Sequence, residues 1–67
     1  MKENTDVLVD NQGNVFGFTP VTPAGREWIK ANVASEPWQW MGETLNVEHR
    51  YAGDLVAGMQ EAGLNVE

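Results

Sequence analysis

Few residues in this chain could do chemistry, and they cluster late in it. His49 is the only imidazole, and the hydroxyl nucleophiles are Ser35 and a few threonines. Nucleophilic catalysis needs a nucleophile, a base and an orienting group in contact. Nothing marks Ser35 as activated, because it sits just before a helix-stopping "EP". Glu43 and Glu48 could form a carboxylate pair for acid–base work. Ten acidic residues on so small a surface give such pairs by chance, however. There is no cysteine, and a zinc site built on one histidine would need at least two carboxylates beside it. The expectation is no catalytic residue, no metal and no cofactor.

Three residues stand out as binding candidates: Trp38, His49 and Arg50. In "EHRY", His49 and Arg50 fall at the start of a helix, where free N–H groups attract anions. A guanidinium adds bidentate geometry for carboxylate or phosphate. A cation in a first helical turn also opposes the helix dipole, so a partner is needed. The structural alternative is an ion pair of Arg50 with Glu48, Asp54 or Glu27, with Tyr51 in the core. In "PWQWMG", Trp38 and Trp40 point the same way if the segment is extended. Trp40 is assigned to the core, as large aromatics in small domains mostly are. Trp38 follows Pro37 in a connecting loop, where it could equally anchor a partner.

These residues must be positioned by a single domain, since 67 residues allow no more. A chain of this length buries about 60% of its unfolded surface, so its stability is marginal. Ten acidic residues against four basic ones give a net charge of −6, which argues against direct nucleic-acid binding. The start "MKENTDVLVD" lacks the apolar core of a signal peptide, and no apolar run is long enough to span a bilayer. A cytoplasmic protein is expected, with residues 1–5 as a flexible tail and 6–67 as the domain.

Val7 to Val9 and "VFGFTPV" flank the turn signal "DNQGN" and read as a β-hairpin. Phe16 and Phe18 share one strand face, and Val15 and Gly17 the other. Thr22 is a good N-cap and Pro23 suits the first helical position. In that first helix Ala24, Trp28 and Ala31 form a stripe with Ile29 and Val33 beside it, and Pro37 forbids continuation. "TLNVE" is a third strand with Leu45 and Val47 inward, entered through a turn at Gly42. The second helix runs from His49 or Arg50 to near Ala62. Tyr51, Leu55 and Met59 are spaced by four, and Gly63 suits the C′ position. "LNV" at the end reads as a fourth strand. Gly53 and Gly58 inside the second helix point either to close packing or to a dimer contact.

The expected fold is α+β: a single two-layer domain of order ββαβαβ, with two helices on one face of a mixed four-stranded sheet. The mixed sheet follows from a parallel crossover between strands flanking a helix. Phe16, Phe18 and Leu8 would make one apolar face, and Val7, Val9 and Val15 the other. Two apolar faces call for cover by a second copy, hence a homodimer.

"FTPVTPAGREWIKANV" followed by "WMGETLNVEHRYAGDLVAGMQEAGLNV" resembles a group of short proteins encoded in proteobacterial chromosomes, plasmids and prophages. Their pattern runs Leu-Thr-Pro, a helix with a central Trp, Trp-x-Gly, a strand ending in Val-Glu-x-Arg-Tyr, and a helix ending in Gly-Leu. Thr19, Pro20, Ala24, Trp28, Trp40, Gly42, Leu45, Val47, Glu48, Arg50, Tyr51, Leu55, Gly58, Gly63, Leu64 and Val66 match it here. Phe18 replaces the aliphatic residue, and Trp38 has no counterpart. The resemblance implies a shared fold and a mobile-element or prophage setting. The leading functional expectation is a non-enzymatic protein-binding or regulatory module with an unidentified protein partner. The runner-up is a phage-type anti-defence inhibitor (anti-CRISPR or anti-restriction) that uses its acidic surface. A small enzyme with an anion site at the second helix comes third.

Overall fold

The computed structural model describes residues 5–34 and 39–67. Six elements follow one another: β1 (Val7–Asn11), β2 (Val15–Pro20), α1 (Pro23–Asn32), β3 (Trp40–Met41), β4 (Thr44–Glu48) and α2 (His49–Glu61). The protein is an α+β domain whose sheet has the order β1-β2-β4-β3, with every pair antiparallel. The expected parallel crossover does not form: β2 and β4 flank α1 and are neighbours, but they run in opposite directions. The chain turns once more than expected, because Trp40–Met41 forms a short strand that folds onto β4 through Gly42, at φ 63°. That left-handed backbone favours glycine. The final "LNV" makes only one parallel bridge, Val66 to Val7, instead of a full strand.

Register assigns the faces. Val7 pairs with Pro20, Val9 with Phe18, Phe18 with Leu45, and Phe16 with Val47. Cross-strand partners share a face, so β-branched Val7 and Val9 join the two phenylalanines. Both helices cover this face: Ile29 of α1 and Ala52 and Met59 of α2 complete a buried cluster with Val7, Phe18, Leu45 and Val47. Leu8 is thereby moved to the opposite face, where it pairs with Thr19. That opposite face is mainly polar. The Thr19 and Thr44 hydroxyls share a 2.7 Å hydrogen bond. The Gln12 side chain lies over Gly17, where a methyl group would meet its Nε2 at 2.8 Å. Leu8, Val15 and the exposed Met41 share this face with them.

The helices are rotated from the expected stripes. In α1 the buried positions are Gly25 and Ile29, with Trp28 and Val33 packed beside them, while Ala24 and Ala31 are exposed. Thr22 is the N-cap, accepting from the Gly25 N–H at 3.2 Å, and Pro23 occupies the first position. The helix stops at Asn32, before Pro37, which lies outside the described residues. In α2 the buried stripe runs through Ala52 and Met59, flanked by Leu55 and Val56. Tyr51 is therefore not core; half of it is exposed. Gly63 ends the helix as expected: the Leu64 N–H bonds the Met59 carbonyl and the Gly63 N–H that of Gln60, both at 3.0 Å. Gly58 reflects close packing, with Trp28 Cζ2 only 3.0 Å from where its side chain would begin.

Asp6 ties the chain ends together. One carboxylate oxygen accepts the Thr22 hydroxyl at 2.6 Å and the other accepts the Asn65 N–H at 2.9 Å. Its own N–H bonds the Asn65 carbonyl at 2.8 Å. Thr5 beside it is buried and donates to the Glu67 carboxylate. The Asn65 N–H and then the Thr22 hydroxyl hold the Asp6 carboxyl below the usual carboxylate range, against a small opposing effect of desolvation. A depressed folded-state value means the ionised form stabilises the fold above the unfolded value of about 4. That stabilisation is lost as pH falls through the lower folded value. Asp6→Asn is therefore expected to lower the thermal midpoint at pH 7. The gap between variant and wild type should close below about pH 4, which thermal melts followed by circular dichroism from pH 7 to pH 2.5 would check. A gap that persists unchanged at the acid end would show that the charge is irrelevant.

Candidate functional site

Of the three residues singled out in the sequence, His49 and Arg50 make separate local contacts. Trp38 lies outside the described residues, as does Ser35. His49 is exposed and rests its ring on Phe16, with centroids 4.6 Å apart and planes tilted by 42°. Arg50 reaches Glu48 at 3.8 Å and stacks over the Tyr51 ring at 5.0 Å. Of the ion pairs considered for Arg50, the one with Glu48 forms. Glu48 is also the N-cap of α2, although its side chain makes no capping hydrogen bond. Its carboxylate compensates a cation placed at the positive end of the helix dipole. The same carboxylate occupies the neighbourhood an incoming anion would need. Glu43 and Glu48 form no acid–base pair: they bracket β4 at opposite ends, and Glu43 is held by Arg26 at 2.7 Å.

A different arrangement brings polar and apolar groups together. β3 pairs with Leu45 and Thr44 of β4, and Gln39 just before it reaches the Asn46 carbonyl. A cleft of about 470 Å³ opens beside β4. Val33 at the end of α1 and Leu55 of α2 form apolar walls with Val47, and Tyr51 stands beside them. Glu48 and Asp54 supply carboxylates, and no lysine, arginine or histidine lines the cleft among the described residues. Ala34 and Gln39, on either side of residues 35–38, both line it.

In an antiparallel ladder, outward-directed groups alternate along the strand. The Asn46 carbonyl points away from β2, since it accepts the Gln39 side-chain amide at 3.4 Å. The Asn46 and Glu48 N–H groups share that direction by the same alternation. The Asn46 Oδ1 is enclosed and accepts no hydrogen bond among the described residues. A second, shallower hollow of about 170 Å³ lies between Arg26, Lys30 and Trp40, but Arg26 there is already engaged by Glu43.

The sequence reading missed Asn46, Asp54 and the cleft beside β4. The one available signal was the polar residue between Leu45 and Val47, which reads equally well as an ordinary outward strand position. No helix among the described residues is long and apolar enough to cross a membrane. Comparison with protein-family models, curated proteins and solved structures found no match.

Proposed function

We propose that this protein is a non-enzymatic protein-binding module that engages its partner at the cleft between the end of α1, β4 and α2. The observation that carries this reading is that cleft, with its apolar walls and acidic rim. Tyr51, half exposed on the wall of the cleft and stacked by Arg50, is the type of residue that dominates binding energy. The setting we adopt is a cytoplasmic one, on a mobile element or prophage.

A second reading is the anti-defence inhibitor. It is supported by charge: both arginines are held by glutamates, while Asp10, Glu27, Asp54 and Glu61 face solvent without a cation partner among the described residues. A basic surface on a host nuclease would then be the target, and the complex would weaken steeply with salt.

Affinity capture from host lysate with wild-type and Tyr51→Ala baits tests the module. A partner retained by the wild type should be depleted about tenfold with the variant, as loss of a central aromatic costs roughly 1.4 kcal/mol or more. Equal recovery on both baits would remove the cleft from the interface. A small molecule seen by native mass spectrometry, with no protein recovered, would overturn the reading.

A further inference from the structure

We infer that the outer edge of β1 is a surface for pairing with a second copy of this chain, and that residues 64–67 are a strap that holds it closed. Val7, Leu8 and Val9 make β1 an apolar run at the border of the sheet. An uncovered strand of that kind is a template for another chain. In an antiparallel pair, outward backbone groups alternate with those bonded to the neighbouring strand. Val7 and Val9 direct theirs away from β2, and the strap takes them. The Asp6 and Val7 N–H groups donate to the Asn65 carbonyl at 2.8 and 3.2 Å. The Val9 N–H donates to the Glu67 carbonyl at 2.7 Å, and the Glu67 N–H to the Val7 carbonyl at 3.0 Å. Side chains fasten the strap at both ends. The Asn65 N–H donates to the Asp6 carboxylate at 2.9 Å, and the Thr5 hydroxyl to that of Glu67. Leu64 and Val66 pack against the core, and Gly63, at φ 89°, turns the chain out of α2 into this run.

With the strap lifted, β1 is matched to itself. Antiparallel pairing about a two-fold axis at Leu8 sets each Val7 opposite the other copy's Val9. Both residues carry outward groups, so the copies exchange about four N–H···O bonds. Valine then meets valine on the core face. On the open face the two Leu8 side chains meet at the close spacing of a non-hydrogen-bonded pair. The neighbouring registers set Leu8 against Asp6 or Asp10 and lose that match. In the favoured register Asp6 faces Asp10 at both ends, a like-charge contact that salt screens. The balance keeps the edge closed in the intact chain. Two straps hold about twice as many backbone bonds as the copies would exchange. A strap on its own chain also gives up no translational freedom, a main cost of association.

Opening the strap tests this. Val66→Gly with Glu67→Pro removes an apolar anchor and the N–H that bonds Val7. In dilute solution its Val7 and Val9 amides should exchange with solvent faster than in the wild type. In sedimentation across a concentration series, its dimer dissociation constant should be about tenfold or more below the wild type's, and lower still at high salt. Circular dichroism and tryptophan fluorescence should report a retained fold. Adding Leu8→Lys, on the open face, puts two like charges on the axis and should restore wild-type behaviour. If the double variant loses its fold, Glu67→Pro alone carries the same test, because it keeps Val66. Glu67→Gln keeps the N–H and should associate no more than the wild type. A folded, opened variant that associates no more than the wild type would overturn the inference, as would a dimer indifferent to Leu8→Lys.

Discussion

Phe18→Ala is expected to leave the protein largely unfolded at 37 °C. Phe18 is fully buried and lies mid-sheet, with Val9 on one side and Leu45 on the other, beneath both helices. Truncating a buried phenylalanine costs about 3–5 kcal/mol, through lost transfer free energy and the cavity left behind. A domain of 67 residues has roughly 3–10 kcal/mol in total, at about 0.05–0.15 kcal/mol per residue. The loss is therefore comparable to the whole. Neighbours cannot close the gap easily, because Leu45 and Val9 are fixed by strand pairing. Urea titration followed by tryptophan fluorescence would check this, since Trp28 and Trp40 both pack against the core. Phe16→Ala is the natural comparison. Phe16 lies on the same face but is only partly buried, so its removal should cost clearly less. Equal losses at the two positions would mean that the core is not centred where the register puts it.

The inward residues of the sheet were legible because strand alternation has a period of two. Phe16, Phe18, Leu45 and Val47 could be assigned from the sequence, and all four face the helices. Leu8 could not, because β1 is apolar at three successive positions and its register depends on the hairpin. The Asn11 side chain accepts from the Gly13 N–H at 3.0 Å and the Gln12 N–H bonds the Val15 carbonyl, which sets Val9 opposite Phe18. Composition alone cannot say which of Val7, Leu8 and Val9 turn inward. The homodimer expectation grew out of that ambiguity.

The helices show a related limit of periodicity. Tyr51, Leu55 and Met59, spaced by four, fit a helical stripe as well as Ala52, Val56 and Met59, spaced by four and three, do. What decides between them is how closely α2 approaches the sheet. Ala52, being small, sits at the contact, and Tyr51 is turned outward to the cleft. The cleft itself was not legible. It lies between the end of α1, β4 and α2, whose mutual placement is set by tertiary packing, not by local propensity. His49 and Arg50 drew attention as rare residues, yet their contacts with Phe16, Glu48 and Tyr51 are local ones that support the start of α2.

Alanine substitutions at two helical glycines should move stability in opposite directions. In a helix interior, alanine is favoured over glycine by up to about 1 kcal/mol. A methyl group at Gly53 meets nothing within 4 Å, so Gly53→Ala should realise most of that gain and raise the thermal midpoint by a few degrees. Nothing in the structure explains a glycine there. Gly25 differs because α1 crosses β1 at that point. A methyl group would lie 2.5 Å from the Asp6 carbonyl oxygen and 3.1 Å from Val7 Cγ2. The first contact is with backbone, so no rotamer change relieves it. The same carbonyl accepts the Val21 N–H at 2.8 Å, and Asp6 carries the bonds to Thr22 and Asn65. Moving α1 outward would stretch that whole junction. Overpacking of this kind costs about 1–3 kcal/mol, more than the helical gain returns. Gly25→Ala should therefore lower the midpoint by about 10 °C, at roughly 4–8 °C per kcal/mol for a domain of this size. Calorimetry of both variants beside the wild type gives the comparison. A Gly25→Ala protein as stable as Gly53→Ala would mean that α1 does not sit against β1 as closely as Gly25 permits.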